Sequence, residues 1–444
     1  MQNIKFGDVM FHFILFFYNL FFPIGFLFFL PALIWKYIHR PGKKNNYMER
    51  FGKFSKEKIK RLQKYRGCVW LHAVSVGETN LALTMLDAWI KEDPNRKFVL
   101  STTTTTAQEI AAKRLPPGVE LIFCPIDFLP YVAKVYVLLR PSGLVIFETE
   151  LWPNLINCAR ISGIPLTLLN ARMSDHSFPG YRRFRFFFAP LLRNFHSICV
   201  QTETDRERYL AVAPDMKDRI SICGNIKFDQ KAPAHLQIPD LSQWFGSAKG
   251  PFVLAASTHP EEEVFIAKAY LKLKTKYPEA RLIVIPRHAE RGATLKTALS
   301  ALGFCVFRKS SDSQVPENTD CLLADTTGEL LGFLAASDIV VMGKTLAGNR
   351  EGQNIIEPAM LGKAIICGME LINFKQVLEI LVKADAVIRV SDSDGLEQAL
   401  DRLLSDPGFR TELGKRAENA IAANNGAVEK NLSALKILFP QEQK

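Results

Sequence analysis

From residue 67 onward, short and almost continuously apolar runs alternate with segments of helical pattern, and this rhythm restricts the fold more than any other feature of the chain. The runs of the first half are CVWLHAV (68–74), KFVLST (97–102), VELIFCP (119–125), GLVIFET (143–149), IPLTLLN (164–170) and SICVQT (197–202). Strands apolar on both faces and separated by helices belong to parallel sheets covered on both sides. The segment FDQKAPAHLQIPDLSQWFG (228–246) carries Pro233 and Pro239, lacks periodicity and reads as an interdomain linker. The alternation then restarts with FVLAAST (252–258), RLIVIP (281–286), GFCVF (303–307), DCLLAD (320–325), DIVVMG (338–343), KAIICG (363–368) and AVIRV (386–390). A chain of 444 residues exceeds one ordinary core. The expectation is therefore two doubly wound α/β domains, 41–227 and 247–444, with a ligand cleft between them. Residues 394–437 have a helical pattern and are assigned to the second domain, although such a terminal helix can also pack back onto the first.

Residues 11–35, FHFILFFYNLFFPIGFLFFLPALIW, contain no Lys, Arg, Asp or Glu and are long enough to cross a bilayer. The run is too long for a signal peptide and no A-x-A site follows it. A full span is the expectation for an anchor over residues 1–40. Insertion into one leaflet is its rival, because Pro23 and Pro31 can break or kink the helix. Residues 36–66 hold twelve Lys/Arg against Glu49 and Glu57, nearly the whole of the net charge of +11. Basic residues beside an apolar span mark the cytoplasmic side and attract anionic inner-membrane lipid. A nucleic-acid partner is not expected, since the cluster abuts the apolar run and is not interleaved with stacking aromatics. The eight cysteines are scattered through apolar runs with no C-x-x-C pair, which indicates buried free thiols, not disulfides or a zinc site.

Several strand ends carry polar groups. In HAVSVGETN (72–80), Glu78 stands where a strand turns into a helix. It is either a charge that favours the helix N-terminus or a group facing a ligand at the sheet edge. In FETELWPNL (147–155), Glu148 and Glu150 fall on one side of an extended chain, and buried carboxylates are costly unless paired or facing a cleft. Lys227 in GNIKFD and Arg287 with His288 in VIPRHAER are candidates for holding phosphate or carboxylate. Ser257 belongs to AASTHPEEE, where Glu261–Glu263 suit a first helical turn. Gly343-Lys344-Thr345 suggests a P-loop, but Asp338 occupies the position that motif reserves for glycine. A helix starting near Gln353 and Asn354, with Glu357 about one turn in, offers a phosphate site at its N-terminus. In FPGYRRFRFFFAPLLRNF (178–195), Arg182, Arg183 and Arg185 alternate with bulky residues such as Phe186. One helix of this kind suits an anionic lipid surface or simply packs between sheet and solvent.

The ordered set HAVSVGE, FETELWPNL, NARMS, GNIKFD, STHPEEE, IPRH and GQNIIEPA closely resembles the bacterial 3-deoxy-D-manno-octulosonic acid (Kdo) transferases, from about residue 67 to 425. The resemblance implies a GT-B fold of two Rossmann-like domains. It implies transfer of Kdo from CMP-Kdo to the tetraacyl lipid A precursor (lipid IVA) at the cytoplasmic face of the inner membrane, with inversion and without metal or cofactor. On this likeness Glu78 is the general base and Glu148 a second essential acid. Lys227, Ser257, Arg287, His288, Gly343, Lys344, Thr345, Asn354 and Glu357 fall to the donor, with Glu357 at the ribose. Arg182, Arg183, Arg185 and Phe186 fall to the acceptor and membrane. Gly343-Lys344 replaces a Gly-Gly pair of many relatives, which leaves the donor contacts of that loop open. The helix N-terminus should lower the pKa of Glu78 and burial should raise it. The rival readings are another membrane-associated GT-B glycosyltransferase of envelope synthesis, a nucleotide-sugar epimerase and a non-catalytic scaffold.

Overall fold

A computed structural model describes residues 6–38, 47–230 and 235–440. Arg40, Lys43 and Lys44 of the basic stretch and Pro233 of the linker lie outside the described residues. The first sheet contains β1 (Val69–Ala73), β2 (Phe98–Thr102), β3 (Val119–Phe123), β4 (Gly143–Phe147), β5 (Leu166–Ala171), β6 (Ser197–Val200) and β7 (Ile220–Ile222), in the spatial order β3-β2-β1-β4-β5-β6-β7. The second contains β8 (Phe252–Thr258), β9 (Arg281–Pro286), β10 (Val306–Arg308), β11 (Cys321–Leu323), β12 (Ile339–Met342), β13 (Ala364–Gly368) and β14 (Ile388–Val390), in the order β10-β11-β9-β8-β12-β13-β14. Every pairing is parallel. The three-residue edge strand β7 is absent from the sequence reading because it is too short to show a period.

Both sheets follow from the apolar runs. Alternate residues of a strand face opposite sides. Trp70, Val99, Leu144 and Ile146 therefore enter the core on one face of the first sheet, and Leu71, Leu100, Val145 and Phe147 the core on the other. Val253, Ala255, Leu282 and Val284 do the same in the second sheet. His72, in β1, is completely buried and pushed down to about 4 by burial, so it is a neutral core residue. All eight cysteines are free, and all but Cys305 are buried.

In each sheet the strand order reverses beside its first strand: β1 lies between β2 and β4, and β8 between β9 and β12. Ligands of open α/β sheets bind outside the carboxyl ends of the strands at such switch points.

The chain divides into two compact units, one running to Asp229 and resuming at Gly426, the other comprising Gln230–Asn425. The expected assignment of 247–444 to the second domain is thus corrected at its end. Helix Ala427–Leu438 is tied to the first unit through Asp229, whose carboxylate accepts the backbone N–H groups of Gly426, at 2.6 Å, and Val428. Phe439 follows, its ring 5.6 Å from that of Trp89. A Cβ on Gly143 would lie 1.9 Å from the Phe439 ring, so only glycine fits there.

Helix Phe6–Ile38 belongs to the first unit and buries Phe11 and Leu15 against it. Residues 178–195 form two short helices, Phe178–Arg183 and Arg185–Leu192, instead of one. The backbone leaves helical geometry at Phe184 (φ −99°, ψ 30°). This break lets Pro190, Leu191 and Leu192 enter the core while Phe184 and Phe186 stay about half exposed.

Candidate functional site

The switch point of the first sheet gathers three carboxylates. Glu78 sits in the first turn of helix Val76–Glu92, just after β1. Its Oε2 accepts the Val74 N–H at 2.7 Å and its Oε1 the Ser75 hydroxyl at 2.9 Å, while Ser75 Oγ accepts the Glu78 N–H at 3.3 Å. This is a reciprocal cap of the S-x-x-E kind. The helix-stabilising role is therefore real, and it fixes both oxygens of a buried carboxylate beside the sheet end. Burial raises the pKa of Glu78 and the nearby Glu148 adds to the rise, against the lowering hydrogen bonds from Val74 and Ser75. Of the two opposing effects expected from the sequence, burial prevails.

Glu148 and Glu150 follow β4. Glu148 adopts φ 60°, so the chain turns at this residue and the expected alternation of 148 and 150 along an extended strand does not apply. Glu148 Oε1 pairs with Lys227 Nζ at 3.0 Å. Glu150 is raised to about 7, first by burial and then by the charge of Glu78, with a smaller contribution from Glu148. The sequence reading names both carboxylates but gives a role only to Glu148; the partial burial of Glu150 arises from the turn and not from the strand pattern. Lys227, expected among donor-binding groups, belongs to the first unit with Glu148 as its ion-pair partner. The other cationic candidate, Arg287, belongs to the second unit.

The switch point of the second sheet is organised by a residue the sequence reading treated only as first-turn charge. Glu262 is fully buried. Its Oε1 accepts the N–H groups of Thr345 and Leu346, each at 2.8 Å, and its Oε2 those of Lys344 at 2.6 Å and His259 at 2.8 Å. One carboxylate thus ties the turn after β8 to the turn after β12. Glu263, equally buried, accepts the Thr258 hydroxyl at 2.9 Å and pairs with Arg291 at 2.6 Å. Ser257 is buried with φ 53°, and a Cβ on Gly343 would stand 2.3 Å from the Ser257 carbonyl oxygen, which explains the glycine. Thr345 is buried as well. Its hydroxyl donates to the Met342 carbonyl at 2.6 Å and accepts the Gly368 N–H at 3.0 Å, so it shapes the turn.

Around this frame stand the polar candidates of the second unit. Asn354 Nδ2 donates to Glu357 Oε1 at 2.9 Å. Burial raises the Glu357 carboxyl, while Asn354 and the charge of Arg287 oppose the rise. The helix bearing Glu357 is only Ile356–Met360, shorter than expected and beginning after Asn354. Its short macrodipole makes the side chains, not the helix end, the chief source of charge here. His259 is lowered by burial and then by Lys344, His288 and Arg287, and its ring lies 5.7 Å from that of His288. Gln353 Nε2 is 3.0 Å from His259 Nε2. Lys344 Nζ is 3.9 Å from Glu351. His259 carries no signal in the sequence because a single His has no spacing pattern, and Gln353 is read there only as the start of a helix.

Arg182, Arg183, Arg185 and Phe186 lie exposed on the two short helices, and Tyr181 on the first of these is near enough to Glu150 for that charge, after burial, to raise its hydroxyl.

Each unit thus collects polar groups at the switch point of its sheet, the place where ligands of doubly wound sheets bind. A family profile described as 3-deoxy-D-manno-octulosonic-acid transferase (kdotransferase) matches residues 45–230. The 3-deoxy-D-manno-octulosonic acid transferase of Haemophilus influenzae is 31% identical over 373 residues, covering 83% of this chain and 86% of that protein. The chain belongs to the Kdo transferase family. The Kdo transferase of Bordetella pertussis is 29% identical over 379 residues, with 83% and 86% covered. A crystal structure of a glycosyltransferase from Rickettsia africae matches with a TM-score of 0.57 at 12% identity, covering 84% of this chain and 99% of that one. At that identity the likeness speaks to the fold alone, and the fold of this Kdo transferase is GT-B.

Proposed function

We propose that the chain transfers Kdo from CMP-Kdo to the tetraacyl lipid A precursor, lipid IVA, in lipopolysaccharide synthesis at the cytoplasmic face of the inner membrane, with inversion and with Glu78 as general base. The observation that carries this reading is the raised, fixed Glu78 carboxylate beside Glu148 and Glu150. A base works best when its pKa approaches the working pH, and burial moves Glu78 that way. An acceptor hydroxyl attacks the anomeric carbon of Kdo, its proton passes to Glu78, and the bond from that carbon to the CMP phosphate breaks with both electrons leaving on oxygen. Arg287 and Lys344 supply positive charge for the departing phosphate, and His288 beside them a ring N–H. In this reading Asn354 and Glu357, which are hydrogen-bonded to each other, meet the ribose hydroxyls. Ser257, Gly343 and Thr345 serve the donor through the backbone turns they shape. Lys227 holds Glu148, which keeps a carboxylate near the acceptor without leaving it unpaired.

The test is transfer from CMP-Kdo to lipid IVA, read by mass spectrometry, for the intact chain and for Glu78→Gln. The expected outcome is a mass gain of one or more Kdo units with the intact chain and a loss of at least about a hundredfold in rate with the variant, the scale of general base catalysis, while CMP binding persists. Undiminished transfer by Glu78→Gln removes Glu78 from the role.

A further inference from the structure

Helix Phe6–Ile38 contains the apolar window Phe11–Phe28, long enough to cross a bilayer by composition. We infer that it does not cross. It lies in the plane of one leaflet, clamped along the first unit, with the N-terminus on the same side of the membrane as the catalytic units.

The clamp is polar and sits in the middle of the apolar window. Tyr18 OH donates to Asp127 Oδ2 at 3.2 Å. Asn19 and Asn154 exchange amide hydrogen bonds, Nδ2 to Oδ1 in each direction, at 2.9 and 3.0 Å, and Asn19 Oδ1 also accepts the Leu129 N–H at 3.2 Å. Asp127 and Asn154 are buried, and Asp127 further accepts the N–H groups of Asn154 and Leu155, which start helix Pro153–Ile161. Apolar contacts extend the clamp to both sides. Phe11 and Leu15 are buried, the Phe22 ring stacks on Phe128 at 5.5 Å, and Phe26 meets Phe51 at 6.3 Å.

The attachment therefore runs from Phe11 to Phe26, roughly 22 Å of helix at 1.5 Å per residue. For this window to span, the loop around Asp127–Leu129 and the exposed Arg160, whose Nη2 is 3.2 Å from His12 Nε2, would have to sit at bilayer depth. Lipid-exposed loops are excluded from the hydrocarbon, and a charged side chain there is costly. The part of the helix beyond the clamp, Leu27–Ile38, extends only about 18 Å, short of the ~30 Å hydrocarbon core. The face turned away from the unit is what lipid meets. Phe16, Leu20, Ile24, Leu27 and Phe28 follow one another at helical spacing and are 51–82% exposed. The exposed Phe186 and Arg185 of the neighbouring short helix continue that surface with an apolar group and a cation for anionic headgroups.

The experiment uses the full chain in native membranes, with one epitope before residue 1 and another after residue 444. Protease is added to spheroplasts and, separately, to inverted inner-membrane vesicles, with detergent-opened samples showing that both epitopes can be cut. Both epitopes cut in the same preparation and both protected in the other is the expected result. Epitopes cut from opposite sides overturn the inference. The readout is topology and not transfer, so it stands or fails separately from the proposed reaction.

Discussion

Replacing Glu262 by Gln changes one oxygen into an NH2 group and leaves size and shape nearly intact. In the native protein four backbone N–H groups, of His259, Lys344, Thr345 and Leu346, donate to the two carboxylate oxygens. In the variant one amide oxygen serves two of them, and the amide nitrogen, itself a donor, faces the other two. Hydrogen bonds to a charged acceptor contribute about 1.5–3 kcal/mol each, so the turn loses about 3–6 kcal/mol of local stability. At 1.4 kcal/mol per factor of ten, amide exchange at Lys344, Thr345, Leu346 and His259 should accelerate about a hundred- to ten-thousandfold. Local exchange is the right assay, because a two-unit chain does not promise a single two-state transition. Amides of β9 serve as the internal reference and should change far less. Protection of the four amides within about threefold of the native value would refute the argument that this carboxylate holds the two turns together.

Glu148→Gln removes the negative charge that helps raise Glu78 and releases Lys227. Both changes lower the Glu78 pKa, so the acid limb of kcat/KM should move to lower pH in a rate profile. Glu150 binds more protons in the folded state than in the unfolded state, its pKa being raised from 4.5 to about 7. Stability should therefore fall as pH rises through that window, and Glu150→Gln should flatten the fall in denaturation midpoints measured at several pH values. Phe439→Ala empties the contact with Trp89 and Gly143 and should destabilise the first unit by about 3–5 kcal/mol. Differential scanning calorimetry should show the lower-temperature shift in one transition.

The candidate site was only partly legible in the chain. Glu78 and Glu148 stand beside strand ends, where pattern and chemistry coincide, so both are legible as candidates in the chain. Glu150 and Glu262 lie within quoted motifs too, but the chain alone gives neither of them a role beyond its charge. Glu150 owes its burial to a left-handed turn at Glu148, and Glu262 owes its role to backbone groups more than eighty residues away. Thr345 stands out in the chain as part of Gly343-Lys344-Thr345 and falls to the donor through the family resemblance. Its two partners, Met342 and Gly368, become visible only when β12 and β13 lie side by side.

The amino-acid sequence by itself determined two parallel sheets, their helical layers and the free buried thiols, since these rest on local periodicity and on apolar runs that must leave water. It also determined that residues 11–35 seek an apolar environment. Tertiary structure alone decided the order of strands, and with it the two switch points where the polar residues collect. It decided that the last helix belongs to the first unit, because Asp229 and Gly143 await it there. It decided as well that burial raises Glu78 against the pull of its own helix. Periodicity records which side of an element is apolar. The neighbour that covers it, and the charge that faces it, come from chain segments far away in sequence.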